Sequence, residues 1–353
     1  MKALVLTEYN HLVYQDVPEP QIGPGQVLIQ VRACGICGSD VHGMDGSTGR
    51  RIPPVIMGHE AAGLIADVGA EVIGWKQGDR VTFDSTIYCG SCHFCRRGET
   101  NLCDDRRVLG VSCEEYREDG AFAEYIAVPE RVLYRLPDGI SFERAAMAEP
   151  LSVACHAVHR TPIHLNDTAL VAGAGVIGLC IVQWLRAAGC GRIIAVDLDE
   201  HRLDVARRLG AEETLRGDSE HVAERVLELT GGRGVDIAFE AVGITATVQL
   251  AVQCLRKGGA LTLVGNLSPT VEFPLQAVVT RELSVNGSCI SRGEYPACLD
   301  MMSRGVVEVD PLISAVAPLA EGPSWFERLR NGERGLIKVI LTPPSDPPRS
   351  RGR

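Results

Sequence analysis

Along the first 150 residues the apolar positions fall in short alternating runs separated by glycine and proline. Val27–Ala33 follows the turn signal Gly23-Pro-Gly25, and the run from Glu60 ends at Gly69. Gly78-Asp79 precedes the run 80–83, and residues 120–128 supply one more. Runs of this length between turn residues predict the strands of a compact β domain. Past Pro150 the pattern changes. A helix is predicted over 152–160, a strand over 167–172, an apolar helix over 179–188 and a strand over 192–196. Further strands are predicted at 235–240, 260–264 and 283–287. Strands alternating with helices predict a doubly wound parallel sheet, so the fold class is α/β. A helix over 296–303 and a β segment over 336–341 then read as a return to the first domain. The organisation predicted is a metal-binding β-rich domain over 1–151, a dinucleotide fold over 152–290, a return over 291–342 and a disordered tail over 343–353.

Composition adds boundaries. A chain of 353 residues can bury two cores, and 45% hydrophobic with 23% charged residues is ordinary for a soluble globular protein. A net charge of −10 argues against nucleic acid or an anionic membrane as partner. No apolar run reaches transmembrane length. The opening residues 1–8 alternate like a strand and lack a secretory cleavage region. The cysteine count is odd at 13, and one group has metal-ligand spacing, so a disulfide framework is not expected. Reduced thiols point to the cytoplasm.

The sharpest chemical signal is Cys89-Gly-Ser-Cys92-His-Phe-Cys95, followed by Cys103. Four thiolates around one ion make a closed tetrahedral site, which predicts a structural zinc. An iron–sulfur cluster also takes four thiolates, but its common bacterial run puts proline after the last one, and Asp104 follows here. His93 reads as a spacer. Cys113, Cys180, Cys190 and Cys254 read as core, and Cys155, His156 and His159 as packing or surface residues.

A second constellation lies between Cys34 and Glu60, with Cys37, Ser39, His42 and Gly58-His59-Glu60. A catalytic zinc takes three protein ligands and keeps one position open. Cys37 and His59 are the first two candidates, and Glu60 and Glu149 compete for the third. Glu60 adjoins His59, and neighbours in a regular strand point to opposite faces. Gly58 permits an irregular approach. The expectation is Glu60 as resting ligand, with Glu149 holding the zinc-bound water or replacing it during turnover. Ser39 can accept and donate a proton at once, and His42 brings an imidazole, the side-chain type that exchanges protons near neutral pH.

In the second domain, the glycine turn Gly173-Ala-Gly175-Val176-Ile177-Gly178 follows a strand and opens a helix, with Asp197 about 20 positions on. The glycines permit a tight turn and close approach of backbone N–H groups to a pyrophosphate. Asp197 should bind the adenosine ribose and repel a 2′-phosphate, so NAD is expected over NADP. Arg202 is a candidate to orient Asp197 or touch the ribose. Val242, Val264 and Gly265, at the ends of later strands, complete the candidate cofactor site.

Taken together, Cys37-Gly-Ser-Asp-Val-His42, Gly58-His-Glu60, the four cysteines, Glu149-Pro-Leu151, Gly173–Gly178 and Ile337-Lys-Val339 resemble the zinc-dependent medium-chain alcohol dehydrogenases. The likeness is greatest to their sorbitol (L-iditol) dehydrogenase-like polyol branch and runs from residue 1 to about 342. It implies a GroES-like β-rich catalytic domain with a Rossmann sheet and two zinc ions per chain. It also implies a cleft between the domains and a proton relay from substrate oxygen through Ser39 and the nicotinamide ribose to His42. A homotetramer, or else a dimer, is implied as well. The expected reaction oxidises a secondary alcohol of a polyol to a ketose, with hydride passing to NAD. The pattern departs from that branch at two places. Gly43 follows His42 where an aromatic residue is common, and Ile290-Ser291 stand where Arg-Tyr is common. Threonine, butanediol and sugar-alcohol-phosphate dehydrogenases share Glu149-Pro-Leu151 and are the alternative substrates. A non-catalytic NAD-sensing scaffold is the alternative of another class, disfavoured because Cys37 and His59 are both present.

Overall fold

In a computed structural model residues 1–344 are described, and they divide into two compact units. The first comprises Met1–Glu149, Tyr295–Arg304 and the described residues from Ile313 to Pro344; the second comprises Pro150–Glu294 and Gly305–Leu312. The return is therefore interrupted, whereas the sequence assigns 291–342 wholly to the first domain. The cause is local burial in the second unit. Val307, Val309 and Leu312 are buried, and the Gln183 side chain bonds both the N–H and the C=O of Glu308, at 2.7 and 2.9 Å. The expected disordered tail lies, after Pro344, outside the described residues.

The first unit is built on a seven-stranded sheet. Its path runs Leu133–Arg135, Arg80–Phe83, Glu60–Val68, Gln26–Gly35, Lys338–Thr342, Ile313–Pro318, and Tyr125–Pro129 also pairs with Gln26–Gly35. Alternating Val, Ile and Leu side chains such as Val27, Ile29, Val31, Ile65, Val81, Val339 and Leu341 fill the core. Register matters more than composition here. Glu60 pairs with Gly35, and Leu341 with Cys34 and Ile340 with Gly35, so the start of one strand and the end of another meet at the residues leading to Cys37. Gly35 is needed at that corner: a Cβ there would lie 2.2 Å from the Glu60 carboxylate.

The second unit holds six parallel strands in the order Glu213–Arg216, Arg192–Asp197, Thr168–Ala172, Val235–Glu240, Leu255–Leu263, Ser284–Gly287. In chain order that is third, second, first, fourth, fifth, sixth, the doubly wound arrangement whose switch point binds dinucleotides. The helix Val176–Ala187 leaves directly from the glycine turn. Helix Ala148–His159 starts earlier than the predicted 152, which puts Glu149 in a first helical turn. Among the described residues no helix is long and apolar enough to cross a membrane.

Candidate metal centres and dinucleotide site

The chain enters the catalytic candidate through Gly58, at φ +93, a left-handed conformation that glycine adopts without Cβ strain. That turn precedes the strand starting at Glu60, so His59 lies outside the regular alternation. Across the sheet, Cys37 caps the short helix Gly38–Gly43. The Cys37 thiol, the His59 ring and the Glu60 carboxylate each place a ligand atom within 4.8 Å of the other two. One sulfur, one nitrogen and one oxygen donor fit a zinc ion, whose tetrahedral ligands stand about 3.5 Å apart. Glu149 is buried but is not part of this close set. Burial pushes its carboxyl up to about 7, with His59 pulling the other way and Glu60 adding to the rise.

Three charged residues that the sequence reading left without a role hold these donors. Asp40, fully buried, accepts from the Cys37 N–H at 3.3 Å and from Arg51 at 2.9 Å, and stands 3.5 Å from His59 Nδ1. Burial opposes its charge, yet His59 and Arg51 hold its carboxyl well below the ordinary range. Asp40 stands on the Nδ1 side of His59 at ion-pair rather than hydrogen-bond separation, which leaves Nε2 for a metal. Lys338, 2% exposed, donates from Nζ to both Glu60 oxygens at 2.8 and 2.5 Å and to the Ile36 carbonyl at 2.9 Å. Burial works against its charge, but Glu60 and Cys37 raise its pKa, so Lys338 stays a cation. The available signal was a lone lysine inside the apolar run 336–341, since a buried lysine demands a partner.

The second metal candidate gathers Cys89, Cys92, Cys95 and Cys103, whose sulfurs also lie within 4.8 Å of one another. Backbone N–H groups point at the sulfurs: Cys92 N to Cys89 at 3.4 Å, Cys95 N to Cys92 at 3.5 Å, Cys89 N to Cys103 at 3.3 Å. Those from Ser91 and Cys92 bring the Cys89 thiol down to about 6, which favours the thiolate a metal needs. None of the thirteen cysteines is in a disulfide.

At the dinucleotide candidate, Gly178 packs so tightly that a Cβ would fall 1.8 Å from the Gly173 carbonyl. Asp197 accepts from the Ala174 N–H at 2.6 Å and from the Asp199 N–H at 2.9 Å, so it staples the glycine turn to the end of its strand. A carboxylate has about four lone-pair sites, so room is left for ribose hydroxyls. Arg202 does not orient it through Nε, which is buried without a hydrogen-bond partner. Arg216, level with Asp197 on the next strand, pairs with Asp218.

Residues 23–138 match the alcohol dehydrogenase GroES-like domain, and residues 176–304 match the zinc-binding dehydrogenase family. Sorbitol dehydrogenase of Bacillus subtilis (strain 168) is 35% identical over 97% of both chains. The chain belongs to the zinc-binding medium-chain alcohol dehydrogenase family. D-arabitol-phosphate dehydrogenase of Enterococcus avium is 33% identical over 94% of both chains. A solved alcohol dehydrogenase from E. coli CFT073, complexed with NADH, superposes with a TM-score of 0.89 at 28% identity, over 97% of this chain and 99% of the other. The protein is thus a zinc-dependent dehydrogenase of the alcohol and polyol type, with a GroES-like unit, a Rossmann-type unit and zinc sites of the two kinds just described.

Within this dehydrogenase, Ser39 and His42 are both exposed and lie three apart on the helix Gly38–Gly43, hence on one face. Gly43 has a steric explanation. A Cβ there would stand 2.7 Å from the Arg51 side chain, so Arg51 occupies the room an aromatic residue would need. At the other departure Ile290 adopts φ +56, a strained conformation for a β-branched residue.

Proposed function

We propose that this dehydrogenase oxidises a secondary alcohol of a polyol, sorbitol or L-iditol in type, to the ketose, with hydride transfer to NAD. The observation that carries the reading is the Cys37–His59–Glu60 donor set backed by Lys338. When bound there, zinc supplies Lewis acidity toward the substrate oxygen. Cys37, His59 and Glu60 would hold the ion, with Asp40 accepting from the Cys37 N–H and setting its charge beside His59. Lys338 neutralises Glu60, so the surroundings carry one positive charge more than the donor set alone. That excess favours negative charge developing on the substrate oxygen. Ser39 takes the substrate proton and His42 delivers it to solvent, through a hydroxyl of the cofactor ribose. Glu149, buried nearby with its carboxyl pushed up to about 7 by burial, would hold the water at the open zinc position or take that position itself during turnover.

The cofactor reading is NAD rather than NADP. Asp197 places its charge where a 2′-phosphate would sit, and Arg216 is already matched by Asp218. Gly173, Gly175, Val176, Ile177 and Gly178 approach the pyrophosphate, while Val242, Val264 and Gly265 face the rest of the cofactor. Two zinc ions per chain and a homotetrameric, cytoplasmic enzyme complete the proposal, supported by likeness to the polyol branch. The deciding experiment is a panel of sugar alcohols, their phosphates, diols and threonine with NAD and NADP, read by nicotinamide absorbance. Sorbitol-type polyols with NAD should have the highest kcat/KM. A sugar-alcohol phosphate, a diol or threonine ahead of them would replace the substrate class. Asp197→Ala should erode the preference for NAD, and equal efficiency with NADP in the unaltered protein would overturn the cofactor choice.

A further inference from the structure

Glu240 ends the fourth strand in sequence of the parallel sheet and is 0% exposed. Its Oε1 accepts three hydrogen bonds, from the Val242 N–H at 2.9 Å, the Gly243 N–H at 2.8 Å and the Thr247 hydroxyl at 2.7 Å. Its Oε2 is buried with no hydrogen-bond partner. The backbone carbonyl of the same residue accepts from the Val264 and Gly265 N–H groups at 2.8 and 3.0 Å. One residue therefore ties down two loops at the C-terminal edge of the sheet. Those loops are packed backbone on backbone, since a Cβ on Gly265 would lie 2.3 Å from Val242 and Gly243 backbone atoms. The first loop also abuts the glycine turn: Ala241 N–H bonds the Ala172 carbonyl at 2.9 Å, and Val242 sits against Gly173.

A simpler cap could have closed this loop. Asn or Ser satisfies loop N–H groups without burying a carboxylate, which is costly in an apolar setting. What Glu240 adds is a single acceptor that fixes Val242 and Gly243 together, with Thr247 holding the acceptor in place. In a doubly wound sheet each half takes one mononucleotide. Asp197, on the second strand, marks the adenosine half. Glu240, on the fourth strand, therefore belongs to the nicotinamide half.

We propose that Glu240 is a positioning residue for the nicotinamide half of the cofactor, acting through the Val242–Gly243 and Val264–Gly265 loops. The proposal rests on the reading that this unit binds NAD. The test compares calorimetric affinities for NADH and for AMP, which engages only the adenosine half. In Glu240→Ala, NADH should bind about tenfold more weakly and AMP within about twofold of the unaltered enzyme. Glu240→Gln keeps an acceptor and should restore NADH affinity to within about threefold. Unchanged NADH affinity in Glu240→Ala, or equal losses for NADH and AMP, would overturn the positioning role. Failure of the unaltered enzyme to bind NADH would instead overturn the dinucleotide reading. Should Glu240→Ala not fold, Thr247→Val carries the test, with NADH weakened about threefold and AMP unaffected; no change in either would overturn the proposal.

Discussion

Cys89, Cys92, Cys95 and Cys103 come from one short stretch of chain, and Cys89, the most open of them, is exposed. Cys37, His59, Glu60 and Lys338 come from distant stretches, and Glu60 and Lys338 are 278 positions apart. The four-thiol site is held by its own loop, through N–H groups three residues from the Cys89 and Cys92 sulfurs and through the Cys89 N–H on Cys103. The catalytic candidate is held by buried ion pairs, Asp40 with Arg51 and Glu60 with Lys338. A closed site made of ligands alone needs no outer partners to stay charged. An open site must leave one position for substrate, so its ligands need support from behind. The two therefore ought to fail differently, one by unfolding a loop and the other by losing chemistry or exposing an unpaired charge.

The largest expected effect separates them outright. His59→Ala should lower kcat/KM by about 10³-fold or more, while metal analysis still finds the thiolate-bound zinc. Mild dialysis against a chelator should do the same to the unaltered enzyme, removing activity with one zinc retained per chain. Fully active, undialysed protein holding a single zinc would collapse the contrast.

Next in size is the ion pair behind Glu60. Lys338→Met leaves a buried carboxylate unpaired and should cost about 3 kcal/mol in metal-free protein. Zinc offers that carboxylate another cation, so the loss in melting temperature should be smaller in the zinc-loaded enzyme. Equal losses with and without zinc would show that Glu60 and the metal do not communicate.

The two carboxylates give a smaller, sharper contrast. Glu60→Gln should weaken zinc binding, and Glu149→Gln should lower turnover more than metal content. Equilibrium dialysis beside kcat checks this, and full zinc in Glu60→Gln with loss in Glu149→Gln would reverse their roles.

The smallest effect is a control at a cluster that shares no residue with either metal candidate. In the second unit His156 Nδ1 lies 2.8 Å from Glu294 Oε1, with His159 at 3.7 Å. Burial resists the charge on Glu294, but hydrogen bonds from His156 and His159 bring it down to about 2, while Cys155 and Glu294 raise His159 to about 10. A depressed carboxyl contributes stability above its unfolded pKa of 4.5, lost as pH falls toward 2. A raised histidine contributes below 6.5 and loses that as pH rises toward 10. Stability from this cluster is thus full between 4.5 and 6.5. Glu294→Gln should cost about 1–2 kcal/mol at pH 6 and flatten the acid limb of a denaturation series. An unchanged acid limb would remove the cluster from the account, and a change in zinc content would link it to the metals after all.

The sequence by itself determined whatever depends on near neighbours. Thiols three apart must share a loop, a glycine turn between strand and helix must leave backbone N–H groups bare, and Asp197 must stand at the end of the next strand. It also determined which donors could meet, because His59 and Glu60 are adjacent and Gly58 frees the approach. Tertiary structure alone decided what stands behind those donors. Lys338 stands in an apolar run with no partner near it in sequence, and antiparallel pairing places its strand beside Cys34 and Gly35. Nothing in the sequence links Arg51 to Asp40; the fold sets its side chain over Gly43 and within reach of that carboxylate. The interruption at 305–312 followed from Gln183, a residue 125 positions from its partner. Local spacing fixes local geometry because a few dihedrals connect the groups. Partners hundreds of residues apart are joined only by register and packing, and burial is what makes their pairing obligatory.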